Sequence, residues 1–362
     1  MNRIPDIQKI AATPIFFILG RPRTGSTLLR TLFDAHHKVL IPQEWPMLLL
    51  LRFRFGKVKY WDKPKLEEFY KALFQPMRIT YWSITNWPKI DLDLLHSNLL
   101  ECEGEHTLET LLKVVYYHYN SFFDKDEIIL IGDKNPAIAN HAGLLAELFP
   151  TARFIHLVRD YRDNLVSLLE VDFEMPNISL LTYRWKYSYR MIEKAAVRNP
   201  ERFYTIRYEE LVSKPEHYFG RLCEFLGIPE DPGIFSFHTR KQELEATLPP
   251  EIIQRYFSSL MQPVDDRKVG VYKRKLTGKQ IRIADLVAGK FAEKAGYSRE
   301  HSSFTPLEYL WVAPAILYTK GLYSIGKLVS LLPYKSMLWL VNKPSVVVGI
   351  YTRFFSSNTR RS

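Results

Sequence analysis

The stretch that decides the fold of this chain is Ile15-Phe-Phe-Ile-Leu19, followed at once by Gly20-Arg-Pro-Arg-Thr-Gly-Ser-Thr27. The first five residues are all apolar, which is typical of a strand buried on both faces. Beyond the turn, apolar residues recur at helical spacing: Leu28, Leu29, Leu32 and Phe33. This segment therefore predicts a strand, a loop and a helix in that order.

Three later segments repeat the buried-strand pattern: Ile128–Ile131, Arg153–Val158 and Phe203–Ile206. Helical patterns follow the last two of them. Buried strands that alternate with helices predict a parallel sheet with helices on both faces. The expected fold is α/β, a phosphate-loop (P-loop-like) arrangement of three layers.

The chain of 362 residues, 46% of them hydrophobic, can form one large domain with an appendage. A helical stripe from Ala284 to Ala295, ending at Gly296, closes the region that alternates strands and helices. We therefore expect an α/β domain over residues 1–300 and a basic, helical C-terminal extension over residues 301–362. Residues 45–100 are rich in aromatic side chains, and we expect short helices there across the mouth of the sheet.

The loop between Gly20 and Thr27 has the composition of a phosphate cradle. Its two glycines allow a tight turn that aims N–H groups at an anion, and the helix that follows adds a favourable dipole. The spacing fits the nucleotide-triphosphatase pattern G-x-x-x-x-G-K-[ST], but Ser26 stands where that pattern has lysine. A loop that grips one 5′-phosphate can use N–H groups, hydroxyls and a flanking arginine instead. The candidates are Arg23, Thr24, Gly25, Ser26 and Thr27.

A second anion anchor follows the strand Arg153–Val158. Arg159 stands at the carboxyl end of that strand, where ligands bind in open α/β sheets. Ser167 comes eight residues later on the following helix, about two turns along. Both side chains are expected to reach one anion.

These two motifs together resemble the sulfotransferases that use 3′-phosphoadenosine 5′-phosphosulfate (PAPS), and most of all the branch with tyrosylprotein sulfotransferases and bacterial relatives. The resemblance extends over most of residues 13–300. It implies that the first loop holds the 5′-phosphosulfate and that Arg159 and Ser167 hold the 3′-phosphate. It also implies that Tyr208, in Arg207-Tyr-Glu-Glu-Leu211, contacts the adenine region. The late basic loop implies three more residues at the 3′-phosphate, namely Gly270, Lys273 and Arg274.

Sulfuryl transfer needs a base for the acceptor hydroxyl and cations for the charge that develops on the bridging oxygen and sulfuryl group. The resemblance implies that Glu44 is the base and that Lys134, in a Lys-x-Pro segment, faces the transferring group together with Arg23. No metal is expected. His156 is expected to be a packed core residue, and His36 and His37 capping or surface residues.

The formal charge of +11 favours anionic partners, which include nucleic acid, a membrane or a polyanionic small molecule. Basic recognition helices and glycine-aromatic ribbons are missing, which argues against nucleic acid. Two alternatives stay open: a P-loop nucleotide-dependent kinase, which the missing loop lysine disfavours, and a non-catalytic protein that binds anionic membranes. Cys102 and Cys223 have no metal or disulfide spacing, and the apolar run Pro14–Leu19 is too short for a signal peptide, so a cytoplasmic location is expected.

The acceptor is expected to carry a hydroxyl. The aromatic residues of 45–100 favour a sterol, lipid or phenol, with a carbohydrate next. Residues 306–362 carry seven basic side chains against one acid, Glu308, between apolar runs. This pattern predicts a segment that touches an anionic membrane surface or covers the acceptor cleft, with packing against the catalytic domain as the equal alternative.

Overall fold

The computed structural model describes residues 4–45, 48–74, 90–121, 123–171, 173–235 and 263–342. These residues form two compact units. Unit 1 holds those in 1–75, 82–158 and 191–266, and unit 2 holds those in 159–190 and 267–342. The predicted domain boundary near residue 300 stays a prediction.

The strands of unit 1 are β1 (Ile15–Leu19), β2 (Val39–Leu40), β3 (Tyr60–Trp61), β4 (Gly104–Glu105), β5 (Leu130–Lys134), β6 (Arg153–Val158) and β7 (Phe203–Arg207). Five of them form a parallel sheet in the order β2-β5-β1-β6-β7, while β3 and β4 pair antiparallel. The predicted parallel α/β sheet is thus confirmed. The strand expected at Ile128–Ile131 is found at Leu130–Lys134. It continues past Ile131 beside β1 because Gly132 has no side chain; a Cβ at this position would lie 2.7 Å from the ring of Phe16. Lys134 is therefore the last residue of a strand and not part of a turn.

The helices that begin in unit 1 are α1 (Ile7–Ala12), α2 (Ser26–Asp34), α3 (Leu48–Phe55), α4 (Lys63–Leu73), α5 (Leu92–Leu100), α6 (Leu108–Tyr117), α7 (Ala142–Leu148), α10 (Tyr208–Ser213) and α11 (Pro215–Leu226). Its core joins the strands to α2, α10 and α11, with Phe16 and Phe33 4.8 Å apart at their ring centroids. Of the tryptophans noted in residues 45–100, Trp45 and Trp61 are buried. Trp61 packs between Phe55 and Phe69. These aromatic side chains therefore build a core. Trp82 and Trp87 lie outside the described residues.

Unit 2 contains α8 (Tyr161–Leu169), most of α9 (Ile178–Arg198), α12 (Tyr272–Lys275), α13 (Gly278–Ala288), α14 (Lys290–Lys294), α15 (Pro306–Val329) and α16 (Tyr334–Asn342). The single helical stripe expected from Ala284 to Ala295 is in fact two helices. Gly289 separates them, because its φ of 56° and ψ of −151° lie outside the helical region. Its missing Cβ allows that conformation. Among the described residues, no helix is long and apolar enough to cross a membrane.

Candidate active site

The loop after β1 turns through two left-handed residues. Arg23 has a φ of 68° and Gly25 a φ of 94°. The first of these is uncommon for a residue with a side chain, and such conformations cluster at functional sites. The turn is closed by Thr24, whose backbone N–H and hydroxyl both donate to the carbonyl of Arg21, at 3.3 and 2.8 Å.

Helix α2 begins directly after this loop, at Ser26. Gly25 is its N-cap and offers no side chain to the first N–H groups of the helix. Those groups and the helix dipole are therefore directed at an outside acceptor, as in other anion-binding loops. The donor set is N–H groups and hydroxyls, which fits one phosphate with a sulfuryl group. The loop thus has the features of an anion-binding loop, and its role in holding a 5′-phosphosulfate stays a prediction.

Tyr208, the first residue of α10, lies against this loop. A Cβ added at Gly25 would come within 2.4 Å of Cδ2 of the tyrosine ring. Close approach and positive φ both require glycine here. At the other end of the loop, a Cβ at Gly20 would lie 2.7 Å from the carbonyl oxygen of Leu157, so the backbones of the loop and β6 are also in close contact. The structure therefore brings the predicted adenine residue Tyr208 to the predicted phosphate loop.

Lys134 joins the loop to the predicted base. Its ammonium group donates to the hydroxyl of Thr27 at 3.1 Å and forms an ion pair with the carboxylate of Glu44. The lysine is buried, whereas Glu44 is about a quarter exposed. Three residues selected from distant parts of the sequence thus meet in one cluster. The loop has no lysine of its own, and Lys134 of the neighbouring strand β5 contacts it instead.

Sequence reasoning missed Arg30, the residue that holds the segment before Glu44 in place. From α2, its guanidinium donates to the carbonyls of Ile41 and Pro42 at 3.2 and 3.1 Å. The same guanidinium binds Asp34 one turn along the helix at 3.1 Å, and the hydroxyl of Tyr119 at 3.2 Å. The i,i+4 spacing of Arg30 and Asp34 was the only signal in the sequence, and it is common on surface helices.

Asp133, next to Lys134, is a second residue that the sequence did not single out. It is buried and accepts a hydrogen bond from the hydroxyl of Tyr116 on α6. Burial, with the nearby negative charge of Glu44, raises the pKa of Asp133 to about 7, although Tyr116 and Lys134 oppose the shift. The ring of Tyr116 also meets Trp45 edge to face, with 6.3 Å between the centroids. Lys134 therefore contacts Glu44 directly. Its neighbour Asp133 is connected to Trp45 through the side chain of Tyr116.

In unit 2, Arg159 comes directly after β6 in the chain and is buried. Its guanidinium donates to the carbonyl of Lys268 at 2.6 Å, and its own carbonyl accepts from the indole N–H of Trp185 at 3.0 Å. Ser167 lies on α8 and is half-buried. The arginine is thus fixed by its surroundings before any ligand binds.

The late basic loop is organised by Asp163, another residue that sequence reasoning did not select. Its carboxylate accepts the backbone N–H groups of Gly270 at 2.7 Å and Tyr272 at 2.8 Å. Gly270 has a φ of 69°, so glycine is required at this bend. Tyr272 is buried under the guanidinium of Arg162, which lies 4.2 Å from the ring centroid. Lys273 and Arg274 are exposed on α12. Gly270, Lys273 and Arg274 therefore belong to one ordered segment of unit 2, and Arg159 contacts that segment at the carbonyl of Lys268.

Histidine side chains take structural positions. His156 is buried in β6, and burial lowers its pKa to about 3. Among the described residues, one group has the spacing of a metal site: His36, His37 and Asp231. His36, however, is fully buried, donates from Nε2 to the carbonyl of Pro229 at 2.8 Å and accepts from the N–H of Lys38 at Nδ1. Both of its ring nitrogens are engaged, so the geometry does not fit a metal ligand. Its full burial also differs from the capping or surface position expected.

Comparison with known proteins identifies this architecture. The profile of the sulfotransferase family matches residues 14–232. The protein-tyrosine sulfotransferase of Drosophila melanogaster is 23% identical over 283 residues, which are 75% of this chain and 50% of that protein. The omega-hydroxy-beta-dihydromenaquinone-9 sulfotransferase Stf3 of Mycobacterium tuberculosis is 25% identical over 329 residues, 81% of this chain and 77% of that protein. The chain spans about half the length of the tyrosine sulfotransferases that it matches.

The fold is also found in solved structures. The sulfotransferase domain from the Synechococcus PCC 7002 olefin synthase matches with a TM-score of 0.52 and 20% identity, over 82% of this chain and 99% of that one. The sulfotransferase domain from the curacin biosynthetic pathway matches with a TM-score of 0.51 and 22% identity, over 79% of this chain and 98% of that one. Because the family profile covers more than half of the sequence, the chain belongs to the sulfotransferase family.

Proposed function

We propose that this chain transfers a sulfuryl group from PAPS to the hydroxyl of a hydrophobic acceptor, with Glu44 as the general base. The observation that supports it most directly is the double contact of Lys134 with Thr27 in the loop and with Glu44. In sulfuryl transfer, the donor sulfur and the base must both reach the oxygen of the acceptor hydroxyl. A cation that lies beside both the phosphate loop and a carboxylate meets this requirement.

In the proposed reaction, Glu44 takes the proton of the acceptor hydroxyl as the acceptor oxygen attacks the sulfur. The bond between sulfur and the bridging phosphate oxygen breaks, and 3′-phosphoadenosine 5′-phosphate leaves with that electron pair. Lys134 and Arg23 stabilise the charge on the bridging oxygen and the sulfuryl group, which accounts for catalysis without a metal. Arg159, Ser167 and the loop with Gly270, Lys273 and Arg274 are proposed to hold the 3′-phosphate, and Tyr208 the adenine region.

The ion pair between Lys134 and Glu44 has a consequence for the order of events. We expect the incoming phosphosulfate to compete for Lys134 and so to release Glu44. Donor binding would then leave the carboxylate of Glu44 available to the acceptor hydroxyl.

The proposed acceptor is a lipid-like or phenolic hydroxyl, with a carbohydrate next. The names of the relatives support this order, since one acts on protein tyrosine, a phenol, and another on a hydroxylated dihydromenaquinone. A panel of phenols, sterols, isoprenoid quinols and glycans, assayed with sulfur-labelled PAPS, would identify the class. Labelling of glycans alone would contradict the proposed order.

The test of the base is Glu44→Gln, which keeps size and hydrogen bonding but cannot take the proton. Turnover should fall by about 100-fold or more while affinity for 3′-phosphoadenosine 5′-phosphate stays near normal. Glu103→Gln, an exposed carboxylate, is the matched control and should be neutral. Lys134→Ala and Arg23→Ala should lower both turnover and affinity, because these cations attract the donor before and during transfer. Near-normal turnover of a stable Glu44→Gln protein would eliminate Glu44 as the base.

The nucleotide itself separates this proposal from the two alternatives. Thermal stabilisation by 3′-phosphoadenosine 5′-phosphate and not by ATP with Mg²⁺ is expected of a sulfotransferase. The reverse would favour a kinase, and no shift with either would favour a non-catalytic binding protein.

A further inference from the structure

Helix α15 is apolar on two opposite sides. On its inner side, Val312 is buried in a cluster with Tyr183 and Leu286, and Tyr323 stacks on Tyr187 with 4.0 Å between the ring centroids. On this side, α15 packs against residues of α9 and α13. A surface helix with one side packed should carry polar residues on the other.

The other side carries large apolar side chains instead. Leu310 is 69% exposed, Leu317 64% and Leu328 64%, and their spacings of 7 and 11 residues return them to nearly the same side of an α-helix. We define the outer face of α15 as Leu307, Leu310, Trp311, Leu317, Ile325 and Leu328. Exposed apolar residues continue beyond α15 with Leu331 and, in α16, Trp339.

This exposure is concentrated in one segment. Among the described residues, ten of the sixteen exposed large hydrophobic side chains fall between residues 307 and 339. Single exposed hydrophobic residues are normal, whereas a contiguous group marks an interaction surface. The outer face of α15 therefore has the character of an interaction surface.

The charges around this face indicate what the partner is. Lys320, Lys327 and Lys335 are exposed, and the single acid of residues 306–342, Glu308, is bound by Arg282 at 2.5 and 3.0 Å. Exposed lysines beside apolar and tryptophan side chains match an anionic lipid surface, in which lysines reach the headgroups while the apolar residues enter the acyl region. A second copy of the same face would instead place lysines near lysines.

We propose that α15 and α16 lie along the surface of an anionic lipid bilayer, with the outer face of α15 inserted between headgroup and acyl chains. None of the described helices can span a bilayer, so the binding is interfacial. The proposal does not depend on the chemistry at Glu44, because it concerns attachment alone. Each inserted leucine adds buried apolar area, and each lysine adds electrostatic attraction that salt weakens.

Sedimentation with vesicles tests this proposal on the full chain. We expect strong binding to phosphatidylcholine vesicles that contain phosphatidylglycerol and weaker binding to phosphatidylcholine alone. The triple variant Leu310→Ser, Leu317→Ser, Leu328→Ser should lose at least about 10-fold in affinity, since three apolar side chains no longer enter the lipid. Its melting temperature should not fall, because the replaced side chains are exposed.

Two further variants sharpen the result. Lys320→Gln with Lys327→Gln should remove most of the preference for phosphatidylglycerol and its salt dependence. Val197→Ser with Ile129→Ser replaces exposed apolar residues of unit 1 and should bind like the wild type. Equal vesicle binding by the leucine variant and the wild type would overturn the proposal. A second pair of results would also overturn it: the wild type is a dimer in analytical ultracentrifugation and does not bind vesicles, and the leucine variant is a monomer. The outer face would then bind a second copy of the chain.

Discussion

The ring of Tyr208 lies so close to the backbone of Gly25 that a methyl group on this glycine would come within 2.4 Å of the ring. Gly25 also has a φ of 94°, which side chains disfavour. The conformation of the phosphate loop and the position of the Tyr208 ring therefore depend on each other. A substitution at either residue should therefore change the affinity of the proposed nucleotide site.

We expect Gly25→Ala to weaken binding of 3′-phosphoadenosine 5′-phosphate by 10-fold or more, because the loop or Tyr208 must move. The melting temperature should also fall, since the left-handed conformation costs an alanine roughly 1–2 kcal/mol. Calorimetry and thermal melts measure both. Gly143→Ala is the matched control, because nothing lies within 4 Å of its added methyl group and it stands in helix α7. Equal behaviour of the two variants would show that the contact with Tyr208 has no effect on the loop.

Arg30 should matter to turnover without touching the nucleotide. Arg30→Met keeps a long apolar stem but removes the donors to Ile41 and Pro42, so the segment that carries Glu44 loses its anchor. Hydrogen bonds from a charged donor contribute about 1.5–3 kcal/mol each, and we expect a lower melting temperature and at least a 10-fold loss of turnover. Arg30→Lys, which keeps the charge beside Asp34, should be intermediate. Normal turnover in folded Arg30→Met would mean that the position of Glu44 is set elsewhere.

Asp133 should make stability fall as the pH rises. Its pKa of about 7 in the folded chain lies above the ordinary value of 3.8, so between these values the folded state holds the proton more tightly than the unfolded state. The stability that this group contributes is present at low pH and is lost as the pH rises through about 7. Asp133→Asn keeps the acceptor for Tyr116 and cannot ionise. From pH 5 to pH 8, the free energy of unfolding of Asp133→Asn should therefore rise relative to that of the wild type, by an amount on the order of 1–4 kcal/mol.

Urea unfolding across this pH range measures that gain. The control is Asp93→Asn, which removes the charge of an exposed carboxylate in the first turn of α5. A constant difference between the wild type and Asp133→Asn at every pH would contradict the elevated pKa. Buried His156 acts in the opposite direction, because its lowered pKa makes stability fall as the pH drops below 6.5, and its effect is common to both proteins.

Arg159 and Ser167 should differ in how they affect the protein. Arg159→Ala removes a charged donor to the proposed 3′-phosphate and also the hydrogen bond to Lys268, so both nucleotide affinity and melting temperature should fall. Ser167→Ala should weaken nucleotide binding less, by about 0.5–1.5 kcal/mol, because its hydroxyl is an uncharged donor. Calorimetry should be run with 3′-phosphoadenosine 5′-phosphate and with adenosine 5′-phosphate. An equal loss for both nucleotides would place Arg159 away from the 3′-phosphate.

The sequence by itself determined the parallel sheet, because an uninterrupted apolar strand such as Ile15–Leu19 is buried on both faces wherever it lies. It also determined the loop, since two glycines with hydroxyl residues before a helix specify a local backbone geometry. Short motifs also suggested four site residues: the spacing after a strand pointed to Arg159 and Ser167, and the resemblance to the family implied Glu44 and Lys134. All of these features depend on neighbours in the chain.

Only the tertiary structure decided which of these residues meet. Lys134 and Thr27 are 107 positions apart, and their contact follows from the register of β5 beside β1. Asp133 and Asp163 were not singled out by the sequence, because their partners, the hydroxyl of Tyr116 and the backbone N–H groups of Gly270 and Tyr272, are distant in the chain. The sequence left open whether residues 306–362 contact a membrane or pack on the protein, since an apolar pattern does not say which side of a helix is covered. Local propensities are fixed by adjacent residues, whereas burial and long-range pairing exist only after the chain has folded.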